Sequence, residues 1–78
     1  SNTVKETVQM KKTIHIEGMM CGHCEMTVKN ALEALGTVSS ADVSHNSGTA
    51  VVTLSAPTED AVLKKAVEDK DYTVTGIE

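Results

Sequence analysis

Hydrophobic positions along this chain switch between a period of two and a period near 3.6, and each switch marks an element boundary. The stretch Lys12-Thr13-Ile14-His15-Ile16-Glu17 alternates, with Ile14 and Ile16 on one face, and predicts a first strand from about Lys11 to Glu17. Val28, Ala31, Leu32 and Leu35 then fall at i, i+3, i+4 and i+7, one stripe of a helix running from about Cys24 to Leu35. Gly36 sits where a left-handed residue would stop that helix. Val38 to Ser44 reads as a second strand with Val38, Ala41 and Val43 as its apolar positions. The cluster His45-Asn46-Ser47-Gly48 is a turn, and Ala50, Val52 and Leu54 alternate through a third strand. Pro57-Thr58-Glu59-Asp60 opens a second helix, with Thr58 as expected N-cap and acidic residues in the first turn. Its expected buried stripe is Val62, Leu63, Ala66 and Val67, and a last strand spans about Tyr72 to Ile77.

The order is β-α-β-β-α-β, the ferredoxin-like pattern of the α+β class. It implies a four-stranded antiparallel sheet with two helices on one face. The topology returns the end of strand one, the start of helix one and the loop before strand four to the same end of the sheet. Lys70, Asp71 and Tyr72 are therefore expected near that end. The hairpin with His45 is expected there too, but off the edge strand. Two strand spacings of about 4.8 Å, roughly 10 Å in all, separate it from strand one, so His45 reads as a turn residue.

Composition narrows the picture. Seventy-eight residues make one domain, and a chain of this size buries only roughly 60% of its unfolded surface. With no Phe, no Trp and one Tyr, the core is aliphatic, and an enzyme pocket is hard to carve from it. A net charge of −4 argues against nucleic acid, since the only basic pairs are Lys11-Lys12 and Lys64-Lys65, read as solvated faces. No stretch approaches the roughly 20 apolar residues of a membrane span. Residues 1–10 read as a linker or an expression-derived tail and 11–78 as the folded domain. Met10 could alternatively be a native start.

The chemistry gathers in Gly18-Met19-Met20-Cys21-Gly22-His23-Cys24, which holds both cysteines of the chain. The motif spans a strand-to-helix loop and places Cys24 at or inside the first helical turn. Unpaired N–H groups and partial positive charge there stabilise a thiolate, the form that binds metal or attacks disulfides. Two thiolates three residues apart reach one ion, and a dithiolate selects soft metals such as Cu(I) or Zn(II). Structural zinc normally takes four ligands, whereas a d10 ion content with a near-linear pair points to Cu(I). A close pair with no other cysteine also suggests a reducing compartment, hence a cytoplasmic location.

Those seven residues match the GMxCxxC signature, and the chain resembles the heavy-metal-associated domain family from about Lys11 to Glu78. That family includes bacterial copper chaperones and the metal-binding domains of copper-transporting P-type ATPases. The resemblance implies Cys21 and Cys24 as ligands of one Cu(I), other soft metals being possible. It implies Met19 as a buried tether, and Tyr72 as the aromatic near the metal in bacterial members. It further implies transfer by thiolate exchange to a partner metallochaperone or ATPase domain, a metal-bridged dimer as one arrangement, and no catalysis. Two departures stand out. Met20 replaces the usual Thr or Ser, and Asp71 replaces the Gly that precedes the tyrosine.

Other readings compete. Cys21-Gly22-His23-Cys24 is identical to the CGHC motif of protein disulfide isomerase, which makes a thiol-disulfide oxidoreductase an alternative. Against it, no Trp precedes Cys21, thioredoxin-like domains are usually longer, and Pro57 opens a helix where theirs opens a strand. A zinc, cadmium or mercury module on the same fold would add a carboxylate such as Glu17 or Glu25. His23 reads either as a modulator beside the thiolates or as a solvent-facing residue. His15 faces the open side of the sheet, and Met20 is expected to be exposed.

Overall fold

Six elements form in the expected order: β1 (Met10–Glu17), α1 (Gly22–Glu33), β2 (Val38–Ser44), β3 (Thr49–Leu54), α2 (Asp60–Glu68) and β4 (Thr73–Ile77). The computed structural model describes residues 10–78. The proposed linker or tail, save Met10, lies outside the described residues. Met10 itself pairs with Leu54 of β3, so β1 starts one residue earlier than expected.

The sheet is antiparallel with strand order β2-β3-β1-β4. Ile14 and Ile16 of β1, Ala50, Val52 and Leu54 of β3, Val28 and Leu32 of α1, and Leu63 and Val67 of α2 make one buried cluster. The hydrophobic side of each element is thus spent on a single layer between sheet and helices. Two register shifts explain where simple alternation fails. In β2 the pairing steps from Val38–Leu54 to Ser40–Thr53, leaving Ser39 unopposed. That extra residue lets Val38 and Ala41, three apart, both point inward, where each is buried. In β4, Ile16 pairs with Val74 and His15 with Gly76, leaving Thr75 as the odd residue.

Several local expectations change. Helix α1 begins at Gly22 and ends at Glu33, two residues before the expected end. Gly36 does not supply a left-handed stop, since the positive-φ glycines among the described residues are Gly18 and Gly48. Instead Leu35 N–H bonds the Leu32 carbonyl at 3.1 Å, a tightened last turn that feeds directly into β2. Thr58 is not the N-cap of α2. Glu59 holds that position without a side-chain cap, while the Thr58 hydroxyl lies 2.5 Å from Thr37 Oγ1 and 3.1 Å from the Ala56 carbonyl. Lys12 is more than a solvated charge, because its Nζ reaches the Thr58 carbonyl at 3.1 Å and Asp60 Oδ1 at 2.5 Å. It ties β1 to the start of α2. Val62 is exposed, so the buried stripe of α2 reduces to Leu63 and Val67, with Ala66 half-buried. A nine-residue helix lying on a sheet has only one narrow face to bury.

The end of α2 carries a conformational cost. Asp71 adopts φ 70°, turning the chain from the helix into β4. A left-handed conformation costs an L-residue about 1–2 kcal/mol, against roughly 0.5–1 kcal/mol of extra chain entropy that glycine loses. Asp71→Gly is therefore expected to stabilise the fold by about 0.5–1 kcal/mol. In thermal unfolding the midpoint should rise by about 2–8 °C. An unchanged or lowered midpoint would show that the aspartate side chain offsets its own backbone strain.

Candidate metal centre

The loop that joins β1 to α1 is held at three points. Gly18 takes φ 102°, and a Cβ there would sit 3.4 Å from Tyr72 Cδ1. The position favours glycine for its left-handed backbone, and the aromatic ring packs against it. Met19 is buried at 7% exposure and joins the core cluster, as the family pattern implied for a tether. Cys21 then forms the N-cap of α1 in an extended conformation (φ −161°, ψ 179°), its carbonyl accepting from Glu25 N–H at 3.2 Å. Cys24 is the third residue of the helix, inside the first turn.

Both cysteines are free thiols, Cys21 exposed and Cys24 half-buried. Hydrogen bonding from the Tyr72 hydroxyl is the largest influence on Cys24, followed by the Met20 backbone. Together with Cys21 they pull the thiol from 9.0 down to about 7, against a smaller opposing effect of burial. The same hydrogen bond to Cys24 pushes the Tyr72 hydroxyl above its ordinary value. The polar groups of the site thus favour a thiolate at Cys24, as thiolate-using loops require.

The neighbours sort differently from the sequence reading. Tyr72 meets the site, as expected. Lys70 lines a surface groove of about 490 Å³ between the two helices, with Thr27, Asn30 and Ala66 among its walls, and neither cysteine lines it. Met20, at 80% exposure, stands in solvent beside the cysteines, and His23 is exposed. His15 faces outward and pairs with Glu78 at 2.9 Å.

His45 is a turn residue, as expected, but the sequence did not show its partner: its backbone N–H and ring Nδ1 lie 2.7 and 2.5 Å from Glu25 Oε2, one residue past Cys24. These contacts hold the Glu25 carboxyl below its usual value. Helix α1 packs chiefly against edge strand β2, which brings Glu25 to the hairpin beyond it. Paired Glu and His at positions 25 and 45 gave no local pattern to detect. Among the described residues, no group of three or more His, Cys, Asp or Glu side chains is placed to hold a metal ion. Among these residues the dithiol stands as a pair.

Fold and loop together define a small ferredoxin-like domain that presents two thiols at one end of its sheet. The chain belongs to the heavy-metal-associated domain family, whose profile matches residues 13–73. The copper chaperone CopZ of Staphylococcus saprophyticus is 42% identical over 67 residues, covering 81% of this chain and 94% of that protein. Among solved structures, a CopZ metallochaperone superposes with a TM-score of 0.80 at 34% identity, covering 85% of this chain and all of that one. A copper-binding domain from HMA7, a P-type ATPase, gives a TM-score of 0.78 at 26% identity, with 88% and 99% covered.

The Tyr72 contact makes a direct pH prediction. Below about pH 7 Cys24 holds its proton, and above it the thiolate predominates. The rate of Cys24 alkylation by iodoacetamide in a Cys21→Ser variant, which keeps the larger Tyr72 and Met20 influences, should therefore rise through an inflection below the ordinary thiol value of 9.0. In a Tyr72→Phe background the inflection should move upward, because the largest lowering influence is gone. No upward movement would remove Tyr72 from the account.

Proposed function

We propose that the domain is a carrier that binds one Cu(I) through Cys21 and Cys24 and passes it on by thiolate exchange. The observation that carries this reading is the pair of free thiols on an exposed loop, one of them lowered to about 7. Membership of the family and the likeness to copper chaperones and a copper-binding ATPase domain support it. Thiolate sulfur is a soft donor and matches Cu(I) better than Mg(II) or Ca(II). Two donors satisfy a near-linear d10 ion yet leave room for a third. A partner's thiolate can then add to the metal before one of Cys21 or Cys24 leaves. Each exchange first forms one copper–sulfur bond and then breaks one, with no change of oxidation state.

The cargo is thus held tightly but not caged. Exposure of Cys21 gives the incoming thiolate its approach, and half-burial of Cys24 against Tyr72 keeps the second ligand in place. The partner is a second thiolate-bearing protein of the same trade, a metallochaperone or a P-type ATPase domain. The chemistry needs reduced thiols, which fits a reducing compartment such as the cytoplasm. Among the described residues, no helix is long and apolar enough to cross a membrane. The domain acts as a carrier, not as an enzyme. The oxidoreductase alternative finds no support in the family.

Anaerobic titration of the reduced protein with Cu(I), and separately with Zn(II), against a competing chelator tests the reading. One tightly bound Cu(I), with zinc far weaker, is expected. Cys21→Ser and Cys24→Ser should each lose tight binding while circular dichroism stays that of the folded domain. Wild-type affinity in either variant would sink the two-cysteine assignment. Weak Cu(I) binding together with an oxidising dithiol potential would return the chain to redox chemistry.

A further inference from the structure

Helix α1 starts without the usual anchor. Its N-cap is Cys21, and no side-chain hydrogen bond caps the first turn. A Ser, Thr, Asp or Asn in that position would ordinarily satisfy one of the free N–H groups. Here the cap position is given to a thiol that must stay available, so the turn carrying Cys24 has to be fixed from elsewhere.

The hairpin between β2 and β3 reaches both stems of the loop. On the strand side, the Gly48 carbonyl accepts from Ile16 N–H at 2.7 Å, and a Cβ on Gly48 would stand 3.1 Å from the Ile16 carbonyl. On the helix side, His45 donates twice to one oxygen of Glu25, from its backbone at 2.7 Å and its ring Nδ1 at 2.5 Å. An ionised carboxylate only accepts, so the ring nitrogen facing it carries the proton. The two side chains are 30% and 29% exposed, which shields the contact from full competition by water. Hydrogen bonds to a charged group of this kind are among the stronger ones in proteins.

We propose that Glu25 and His45 are positioning residues for the metal loop. The pair locks the first turn of α1 to the hairpin, and the hairpin in turn holds the end of β1. The spacing between Cys21 and Cys24 is thereby set before metal arrives, and neither Glu25 nor His45 touches the ion. The consequence for copper rests on the carrier reading above, whereas the consequence for the first turn does not.

Two variants separate positioning from general stability. His45→Ala removes the ring donor, while His45→Asn places an amide N–H near the position of Nδ1. Three quantities are read for each reduced protein: amide exchange of residues 25–28 without metal, amide exchange in α2, and Cu(I) affinity by chelator competition. In His45→Ala, exchange in the first turn of α1 should accelerate with α2 unchanged. Its Cu(I) dissociation constant should rise by about tenfold, the lower end of what outer-shell changes cost a metal site. His45→Asn should stay within about twofold of the wild type on both counts. First-turn exchange at the wild-type rate in His45→Ala overturns the proposal. So does equal acceleration in both helices, which would mark the pair as a general stability contact, and so does equal loss in both variants. If the wild type bound no Cu(I), the carrier reading would fall, while the exchange comparison would still decide the brace.

Discussion

Tyr72, at the end of the loop after α2, joins the two halves of the chain at the metal loop: its ring packs by Gly18 and its hydroxyl is the largest influence lowering the Cys24 thiol. Much of the local backbone bears on that contact. The ring packs beside Gly18, whose positive φ shapes the loop. Asp71, left-handed at φ 70°, turns the chain between α2 and the tyrosine. A polar hydroxyl aimed at a half-buried sulfur favours the charged sulfur over the neutral one. One contact therefore couples a glycine, a strained aspartate and a helix end to the chemistry of one thiol.

The loop shows a division of labour between burial and exposure. Met19 sinks into the core and fixes the loop at its middle, while Met20, next to it, stands in solvent. Cys21 is exposed and Cys24 half-covered, so one thiol is offered and the other held. A metal carrier needs this asymmetry. A fully buried pair would bind without release, and two mobile thiols would pay the ordering entropy each time the ion arrives. The hairpin carrying His45 and Gly48 braces the loop from the outside, where the helix lacks a side-chain cap of its own.

The edges of the sheet follow the same economy. The Glu33 carboxylate accepts from Ala41 N–H at 3.1 Å, and Glu25 from His45 N–H at 2.7 Å, so α1 covers two backbone donors along and just beyond edge strand β2. An exposed edge is a template for pairing with another chain, and carboxylates laid over its donors blunt it. These glutamates read in the sequence only as polar positions on a helix. Their use depends on which strand the helix crosses.

By itself the sequence determined the order of elements, most of the core and the two cysteines. Those follow from periodicity and from a motif contained within seven consecutive residues, and local chain geometry alone gives them meaning. Ile14, Ile16, Val28, Leu32 and Leu63 could be placed because each lies on an apolar face whose period is set by its own helix or strand. Other features waited for the tertiary structure: Val62 in solvent, Lys12 on the start of α2, Thr58 turned away from the cap, and His45 on Glu25. Each depends on where one element crosses another. Periodicity says which face of an element is buried, but carries no information about which neighbour's polar group waits at its rim. The thiols, the Met19 tether and the nearby Tyr72 were legible in the chain; the Glu25–His45 contact beside them was decided by packing.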